Sequence, residues 1–162
     1  MAKVLRPGDA EVLRLRGRSA SVLLNGDDTQ EQLTVRVVEV DPEPLDAEPR
    51  PLHVHEGVGE FIWILQGSGV LHCDQGVLRA RQGEGIFVPS GERHKFMPEG
   101  DEPLQLLCVF PTGDIARRTK ITPTCSRCAG VPRSSREPSR ARGTDHGHHH
   151  HPPRGAAPRA HS

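Results

Sequence analysis

Three histidines and one glutamate, grouped in two short blocks, are the residues of this chain most suited to chemistry. His53, His55 and Glu60 lie in the block HVHEGVGEFIWILQG (53–67), and His94 ends the block GEGIFVPSGERH (83–94). Three imidazoles and one carboxylate are enough to hold a first-row transition metal, and in an octahedral shell they leave two positions open. Because an open position separates a reactive metal centre from a structural one, the set predicts a site that binds or transforms a small molecule.

The spacing of these residues constrains the elements that carry them. His53 and His55 are two residues apart, so a strand would present both imidazoles on one face. Glu60 follows His55 by an odd offset, and a straight strand would turn it to the opposite face. Gly57 and Gly59 give the chain the freedom to bend in between. Taken singly, each residue is more often a satisfied histidine or a solvated glutamate, so the prediction depends on their joint spacing.

Strand patterns dominate the part of the chain that surrounds the two blocks. Segments rich in β-branched and aromatic residues recur about every ten residues and are separated by turn residues. We expect strands at 33–40, 61–65, 70–73, 77–80, 86–88 and 104–110. Near 9–16 a short helix is one alternative, although the alternation in VLRLR equally allows a strand. The pattern is typical of an all-β barrel or sandwich.

Composition divides the chain into an acidic body and a basic tail. Residues 1–111 carry 11 Lys/Arg against 18 Asp/Glu, whereas residues 112–162 carry 10 against 3. Every aromatic residue lies between 61 and 110. A tail without aromatics and with few aliphatics cannot bury enough surface to offset its ordering entropy. We therefore expect a β-barrel domain over 1–118, with a core at about 20–111, and a disordered Pro/Arg/His-rich tail over 119–162.

The tail contains two groups of candidate metal ligands. Cys125 and Cys128 have CxxC spacing, but a single such pair does not define a zinc site. The histidine-rich run at 146–151 could bind nickel or zinc loosely. The run is explained equally well by a metal-delivery role and by a low-complexity extension.

Several classes of protein are disfavoured by the sequence. No apolar run approaches the roughly 20 residues that cross a membrane, and the N-terminus lacks the apolar segment of a secretory signal. The four cysteines do not form a disulfide framework, so we expect a cytoplasmic protein. The acidic body argues against nucleic acid as its partner.

The two blocks resemble the two motifs of the cupin superfamily. The first motif, G-x5-H-x-H-x3,4-E-x6-G, is matched at every position after the leading glycine, where Ala47 stands. The second, G-x5-P-x-G-x2-H-x3-N, is matched at every position before the last, where Pro98 stands. The matching residues are His53, His55, Glu60, Gly67, Gly83, Pro89, Gly91 and His94. Neither differing position supplies a ligand in that family, so the metal prediction is unaffected.

The resemblance implies a small single-domain cupin, a double-stranded β-helix that forms a conical jelly-roll barrel. One divalent transition metal (Fe, Mn, Ni, Zn or Cu) would sit inside it on the three histidines and Glu60. A homodimer is implied as well, with a role for residues 20–40 in association.

Cupins carry out dioxygenation, decarboxylation, isomerisation and dehydration of small polar compounds. We expect an O₂-dependent oxidoreductase of the dioxygenase type that acts on a small organic substrate. The alternatives are a cupin isomerase, decarboxylase or lyase, and a non-catalytic module that binds a small molecule or a metal.

Strand alternation extends the prediction from the ligands to the substrate pocket. If Glu60 faces the lumen, Ile62 and Ile64 face it too, and Phe96 follows His94 inward. Glu60 itself is a candidate proton acceptor as well as a ligand. On the last strand the inward set is either Leu104, Leu106, Cys108 and Phe110 or Gln105, Leu107 and Val109.

Each of three further side chains has two alternative roles. If the first of these two sets faces inward, the thiol of Cys108 lies near the metal. A buried cysteine more commonly serves as a small hydrophobic residue of the core. His72 is expected at the surface of a hairpin rather than behind the ligands. Trp63 is out of phase with Glu60, which favours packing or an interface.

Overall fold

The computed structural model describes residues 2–123, and these form two antiparallel sheets around a shared core. The larger sheet has the order β1 (Glu11–Leu15), β2 (Arg18–Leu24), β3 (Thr34–Val40), β10 (Leu104–Phe110), β5 (Glu60–Gln66) and β8 (Gly85–Val88). The smaller sheet has the order β11 (Thr119–Ile121), β4 (His53–His55), β9 (His94–Pro98), β6 (Ser68–Cys73) and β7 (Gly76–Arg81). A 3₁₀ turn (Pro7–Asp9) and two single-turn helices, α1 (Gly26–Thr29) and α2 (Ile115–Arg118), complete the described elements. The all-β class predicted from the sequence is confirmed.

The predicted strands are present at nearly the expected bounds. Each of the six segments becomes a strand whose ends differ by at most two residues from the sequence pattern. Of the two structures considered near residues 9–16, the strand is the one that forms. Residues 11–15 pair with β2 as an edge strand. None of the helices in residues 2–123 is long and apolar enough to cross a membrane.

The core lies between the sheets and is built by alternate residues of each strand. On β10 the buried set is Leu104, Leu106, Cys108 and Phe110, which is the first of the two phases considered above. Ile64 of the larger sheet and Leu71 of the smaller one belong to the same buried cluster. Complete burial of such a side chain contributes about 1.5–3 kcal/mol. The phase of β10 is therefore set by the apolar residues that it presents to both sheets.

The folded part extends past the predicted boundary of the domain. Asp114 caps α2 by accepting a hydrogen bond from the backbone amide of Arg117. The chain then forms β11, whose Thr119 and Ile121 pair with His55 and His53 at the edge of the smaller sheet. Composition alone does not reveal this pairing, because it depends on an open strand edge far away in the sequence. Residues 124–162 of the predicted tail, with Cys125, Cys128 and the histidine run, lie outside the described residues.

The bend predicted between the first-block ligands is present. Residues 56–59 leave the strand conformation, and Gly57 has a φ of +74°. A Cβ on Gly59 would come within 2.7 Å of the Phe87 ring. The two glycines thus allow the turn and the close packing that bring Glu60 round to the side of His55.

Substitution of Gly57 by alanine should lower the free energy of unfolding by about 1 kcal/mol, since the left-handed region disfavours a Cβ. Gly8→Ala is the matched control, because a Cβ there meets nothing within 4 Å and its φ is not positive. Urea unfolding followed by circular dichroism measures both values. Equal stability of the two variants would show that the bend does not require glycine.

Candidate metal centre

The four predicted ligands meet where the two sheets approach each other. β4 carries His53 and His55, and β9 carries His94, which pairs directly with His53 across the smaller sheet. Glu60 begins β5 of the larger sheet and pairs with Val88. The site therefore draws on both sheets and forms only when the barrel is closed.

The donor atoms of these residues form a compact set. One ligand atom from each of the four lies within 4.8 Å of the others, and all four residues are buried. The imidazole centroids are 4.3 Å apart for His53 and His94, 5.0 Å for His53 and His55, and 5.3 Å for His55 and His94. Four buried donors at this separation can face one ion without rearrangement of the backbone.

The hydrogen bonds of two imidazoles determine which nitrogen carries the proton. His94 Nδ1 lies 2.9 Å from the backbone carbonyl oxygen of Glu92, to which it donates. The hydroxyl of Thr119 donates to the carbonyl of Ile115 at 2.8 Å, so its oxygen accepts from His55 Nδ1 at 3.0 Å. In the neutral rings of both histidines, Nε2 is consequently the unprotonated atom.

Two lone pairs are thereby directed at a carboxylate. His55 Nε2 and His94 Nε2 lie 3.1 Å and 3.0 Å from the same oxygen, Oε2 of Glu60. Three acceptors at these distances repel one another unless a cation or a proton lies among them. Outer hydrogen bonds that orient metal-ligating imidazoles are a regular feature of metal sites. The donor set therefore fits a divalent metal.

The surroundings keep the ligands in the protonation states that a metal requires. Burial, followed by the charges of His94 and Arg18, lowers the pKa of His53 well below its ordinary value, so this ring is neutral at pH 7. Burial would raise the pKa of Glu60. Without a metal, its contacts with His55 and His94 outweigh burial when either ring is protonated on both nitrogens and donates from Nε2, and they bring the pKa of Glu60 below its ordinary value. Glu60 is thus ionised at neutral pH.

A cavity of about 290 Å³ opens beside the ligands. Of the predicted wall residues, Ile62, Phe96 and Cys108 line it, whereas Ile64 is fully buried in the core and is not among the lining residues. Contact of any of them with a substrate stays a prediction. The exposed side chains of Leu15 and Ile121 also line the cavity, which places its mouth between β1 and β11.

Because Leu104, Leu106, Cys108 and Phe110 of β10 face inward, the thiol of Cys108 lies beside Glu60. Cys108 is buried and hydrogen-bonded to Glu60; burial, followed by the charge of that carboxylate, raises the pKa of Cys108 well above its ordinary value. A protonated thiol of this kind donates to the carboxylate and does not act as a nucleophile. Elsewhere, His72 is half-buried on the outward face of β6. Trp63 lies on the outer face of β5, as its position out of phase with Glu60 predicted.

Sequence reasoning missed three side chains of the site. Thr119 fell in the predicted tail, and nothing nearby in the sequence links it to His55. Arg18 and Arg36 line the cavity, although charged residues are seldom expected on an inward strand face. The alternation of each arginine with inward apolar residues, as in Thr34-x-Arg36-x-Val38, was the one available signal.

Comparison with known proteins agrees with this geometry. Residues 37–110 match the family model described as a cupin domain. An oxalate-binding protein of Thermotoga maritima is 38% identical over 59 residues, which are 36% of this chain and 49% of that protein. The chain spans about half the length of the curated relatives it matches.

Solved structures extend the similarity to the whole fold. A polyketide cyclase from Streptomyces resistomycificus superposes with a TM-score of 0.58 and 28% identity, over 68% of this chain and 80% of the other. A predicted oxalate decarboxylase from Thermotoga maritima gives a TM-score of 0.58 and 25% identity, over 68% of this chain and 99% of the other. The fold is that of a β-barrel, and its four clustered donors could hold a metal ion. Residues 37–110 are a cupin domain, as the two motifs predicted.

Proposed function

We propose that this cupin domain is a metal-dependent enzyme acting on a small organic substrate. His53, His55, Glu60 and His94 would hold one divalent transition metal. The observation that carries the proposal is the convergence of two unprotonated imidazole nitrogens on the ionised Glu60 carboxylate, beside a cavity that reaches solvent. A divalent metal there would supply Lewis-acid activation or, if redox-active, electrons for O₂ chemistry.

The residues around the ligands have separable roles in this proposal. The Glu92 carbonyl and Thr119 hold the two imidazoles in the tautomer that presents Nε2. Glu60 would act as a ligand and as the proton acceptor for a bound substrate group, and the charge of a bound metal would reduce its basicity. Ile62 and Phe96 provide apolar wall beside the ligands, where they exclude water from the bound substrate.

For the reaction type we favour an O₂-dependent oxidation of the dioxygenase type. A mixed nitrogen and carboxylate donor set with two open positions suits ferrous iron and leaves room for substrate and O₂. A non-redox reaction, catalysed by a cupin isomerase, decarboxylase or lyase, is the second candidate. It is favoured by the names of the similar polyketide cyclase and predicted oxalate decarboxylase. The name of the oxalate-binding relative supports the third, a binding module.

Oxygen uptake separates these candidates. Protein loaded anaerobically with Fe(II), and a parallel Zn(II)-loaded sample, are given a panel of small organic acids while O₂ and products are measured. The dioxygenase proposal expects O₂ consumption coupled to product with iron alone. Product without O₂ would favour the second candidate, saturable binding without product would favour the third, and failure to bind any metal would overturn the metal-dependent function.

We also propose a homodimer formed through the outer face of the larger sheet. Two rows across β3, β10, β5 and β8 contain no charged side chain: Val37, Leu107, Trp63 and Gly85, and Val35, Val109, Phe61 and Phe87. Phe61, Trp63 and Phe87 are 40%, 39% and 68% exposed. Large exposed apolar faces usually mark interfaces. Because this face carries no charge in these rows, two acidic protomers can pack through it without placing like charges in direct contact.

Trp63→Glu should convert this dimer to a monomer, because it places a carboxylate in the middle of the apolar rows. Sedimentation velocity measures the change in mass. Leu78→Glu is the matched control, since Leu78 is an exposed apolar residue on β7 of the other sheet. A wild-type monomer, or a Trp63→Glu dimer, would contradict the proposed interface.

A truncated chain tests whether the histidine-rich tail is the functional part. A chain ending at Pro123 keeps β11 and Thr119, so we expect it to bind metal with the same stoichiometry and to retain its activity. Elemental analysis of both proteins, purified without an affinity metal, measures this. Loss of metal on truncation would show that residues 124–162, rather than the barrel, bind the metal.

A further inference from the structure

Two arginines, Arg18 and Arg36, line the cavity together with the four candidate ligands. Arg36 on β3 pairs with Cys108 on β10, which in turn pairs with Ile62 on β5. Since directly opposed residues of neighbouring strands lie on one face of a sheet, Arg36 shares the inward face of Cys108 and Ile62. By the same register, Arg18 on β2 pairs with inward Val40, and both arginines line the cavity.

Arg18 and Arg36 are partly buried, and their guanidinium groups lack the partners that such charges usually have. Within residues 2–123, no carboxylate forms an ion pair with Arg18 or Arg36. Arg36 Nε is buried and has no hydrogen-bond partner among the described residues. An unpaired charge in a largely apolar cavity is costly, so a compensating group is expected from outside the chain.

The charges around the cavity favour an anion. Both groups line the same cavity. Burial lowers the pKa of Arg18 and of Arg36, and the charge of Arg18 lowers that of Arg36 further. A guanidinium nevertheless stays protonated in proteins. The charge of Glu60 acts on both arginines and that of Glu11 acts on Arg36, but neither acid forms an ion pair with them, and Glu60 is already shared by two histidines. With a divalent metal bound, the two arginines add to a site that is already positive.

We propose that Arg18 and Arg36 form a carboxylate-binding site that selects small organic acids and turns their second oxygen group toward His53, His55, Glu60 and His94. The contact of the acid with a metal rests on the proposed function, whereas its contact with the two arginines does not. Neighbouring strands lie about 4.8 Å apart, so Arg36 and Ile62, two strands apart, are separated by roughly 10 Å at the backbone. A short dicarboxylate or oxygenated carboxylic acid can span the space between the arginines and the ligands.

The surroundings favour a carboxylate over a phosphate. Phosphate sites usually gather free backbone amides at a helix N-terminus or in a glycine-rich loop. The arginines here lie on strands whose backbone groups pair with neighbouring strands, and the remaining wall near them is apolar, with Leu13, Ala20 and Val38. The planar fork of a guanidinium matches the two oxygens of a carboxylate.

Equilibrium binding of malonate tests the arginine site. Calorimetry is performed on Zn(II)-loaded and metal-free protein, with inorganic phosphate and neutral propane-1,3-diol as comparison ligands. We expect Arg36→Gln and Arg18→Gln each to weaken malonate binding at least tenfold without changing metal stoichiometry, and Arg36→Lys to retain part of the affinity. Arg14→Gln is the matched control, because Arg14 is an exposed arginine of β1 that does not line the cavity.

A second measurement avoids the risk that a glutamine variant fails to fold. In the wild-type chain, malonate should protect Arg18 and Arg36 from phenylglyoxal while Arg14 reacts unchanged, as read by peptide mass spectrometry. Malonate binding that is unaffected by both glutamine variants, absence of malonate binding, or tighter binding of phosphate would each overturn the arginine site.

The two proposals fail in distinguishable ways. Arginine-dependent malonate binding to a chain that holds no metal would support the arginine site and overturn the metal-dependent function. If the chain holds stoichiometric metal but binds malonate equally well without Arg18 or Arg36, the arginine site would be overturned. The metal-dependent function would then be supported.

Discussion

Replacement of His94 by alanine should remove most of the bound metal while the barrel stays folded. His94 Nε2 is one of two unprotonated nitrogens aimed at Glu60, so its loss deletes a donor from the centre of the set. Changes to an outer partner of a ligand already cost about 10–100-fold in affinity, and loss of a ligand should cost more. His94 is fully buried but borders the cavity, so we expect the substitution to cost about 0.5–3 kcal/mol, the range of most single substitutions, and to leave the barrel folded.

Elemental analysis beside circular dichroism tests this expectation on protein purified without an affinity metal. His72→Ala is the matched control, because His72 is a half-buried strand histidine that faces away from the ligands. The control should keep its metal. Stoichiometric metal in His94→Ala would rule out the assigned ligand set, and equal loss in both variants would point to a general effect on the fold.

Thr119→Val should weaken metal binding by about 10–100-fold with little change in stability. The hydroxyl of Thr119 accepts from His55 Nδ1 and donates to the Ile115 carbonyl, and thereby holds the ring in the tautomer with a free Nε2. Valine keeps the shape but removes the acceptor. His55 would then be free to place its proton on Nε2, where it competes with the metal.

Competition with a zinc chelator measures the affinity of this variant. Thr122→Val is the matched control, because Thr122 also donates its hydroxyl to a backbone carbonyl, that of Leu52, at 3.1 Å. That bond does not involve a ligand, so the control should bind zinc like the wild type. A similar loss in both variants would attribute the effect to the C-terminal segment as a whole rather than to the tautomer of His55.

Local physics made much of the fold and of the ligand set predictable from the sequence. Period-2 alternation of apolar residues identifies strands such as 104–110, because a strand turns successive side chains to opposite faces. The ligands His53 and His55 share a strand, and Gly57 supplies the positive φ that the following bend needs. Each of these relations spans only a few residues, so neighbouring sequence is sufficient to specify it.

Other parts of the site were decided only by the tertiary structure. Thr119 orients His55 from 64 residues away, across a strand pair that composition had assigned to a tail. The choice between the two faces of β10, which brings Cys108 to Glu60, depends on what both sheets present to the core. Arg18 and Arg36 enter the cavity because the register of β2 and β3 with β10 puts them on its inward face. Register is a property of paired strands rather than of either strand alone, and this is why the sequence by itself determined the ligands but not the groups that surround them.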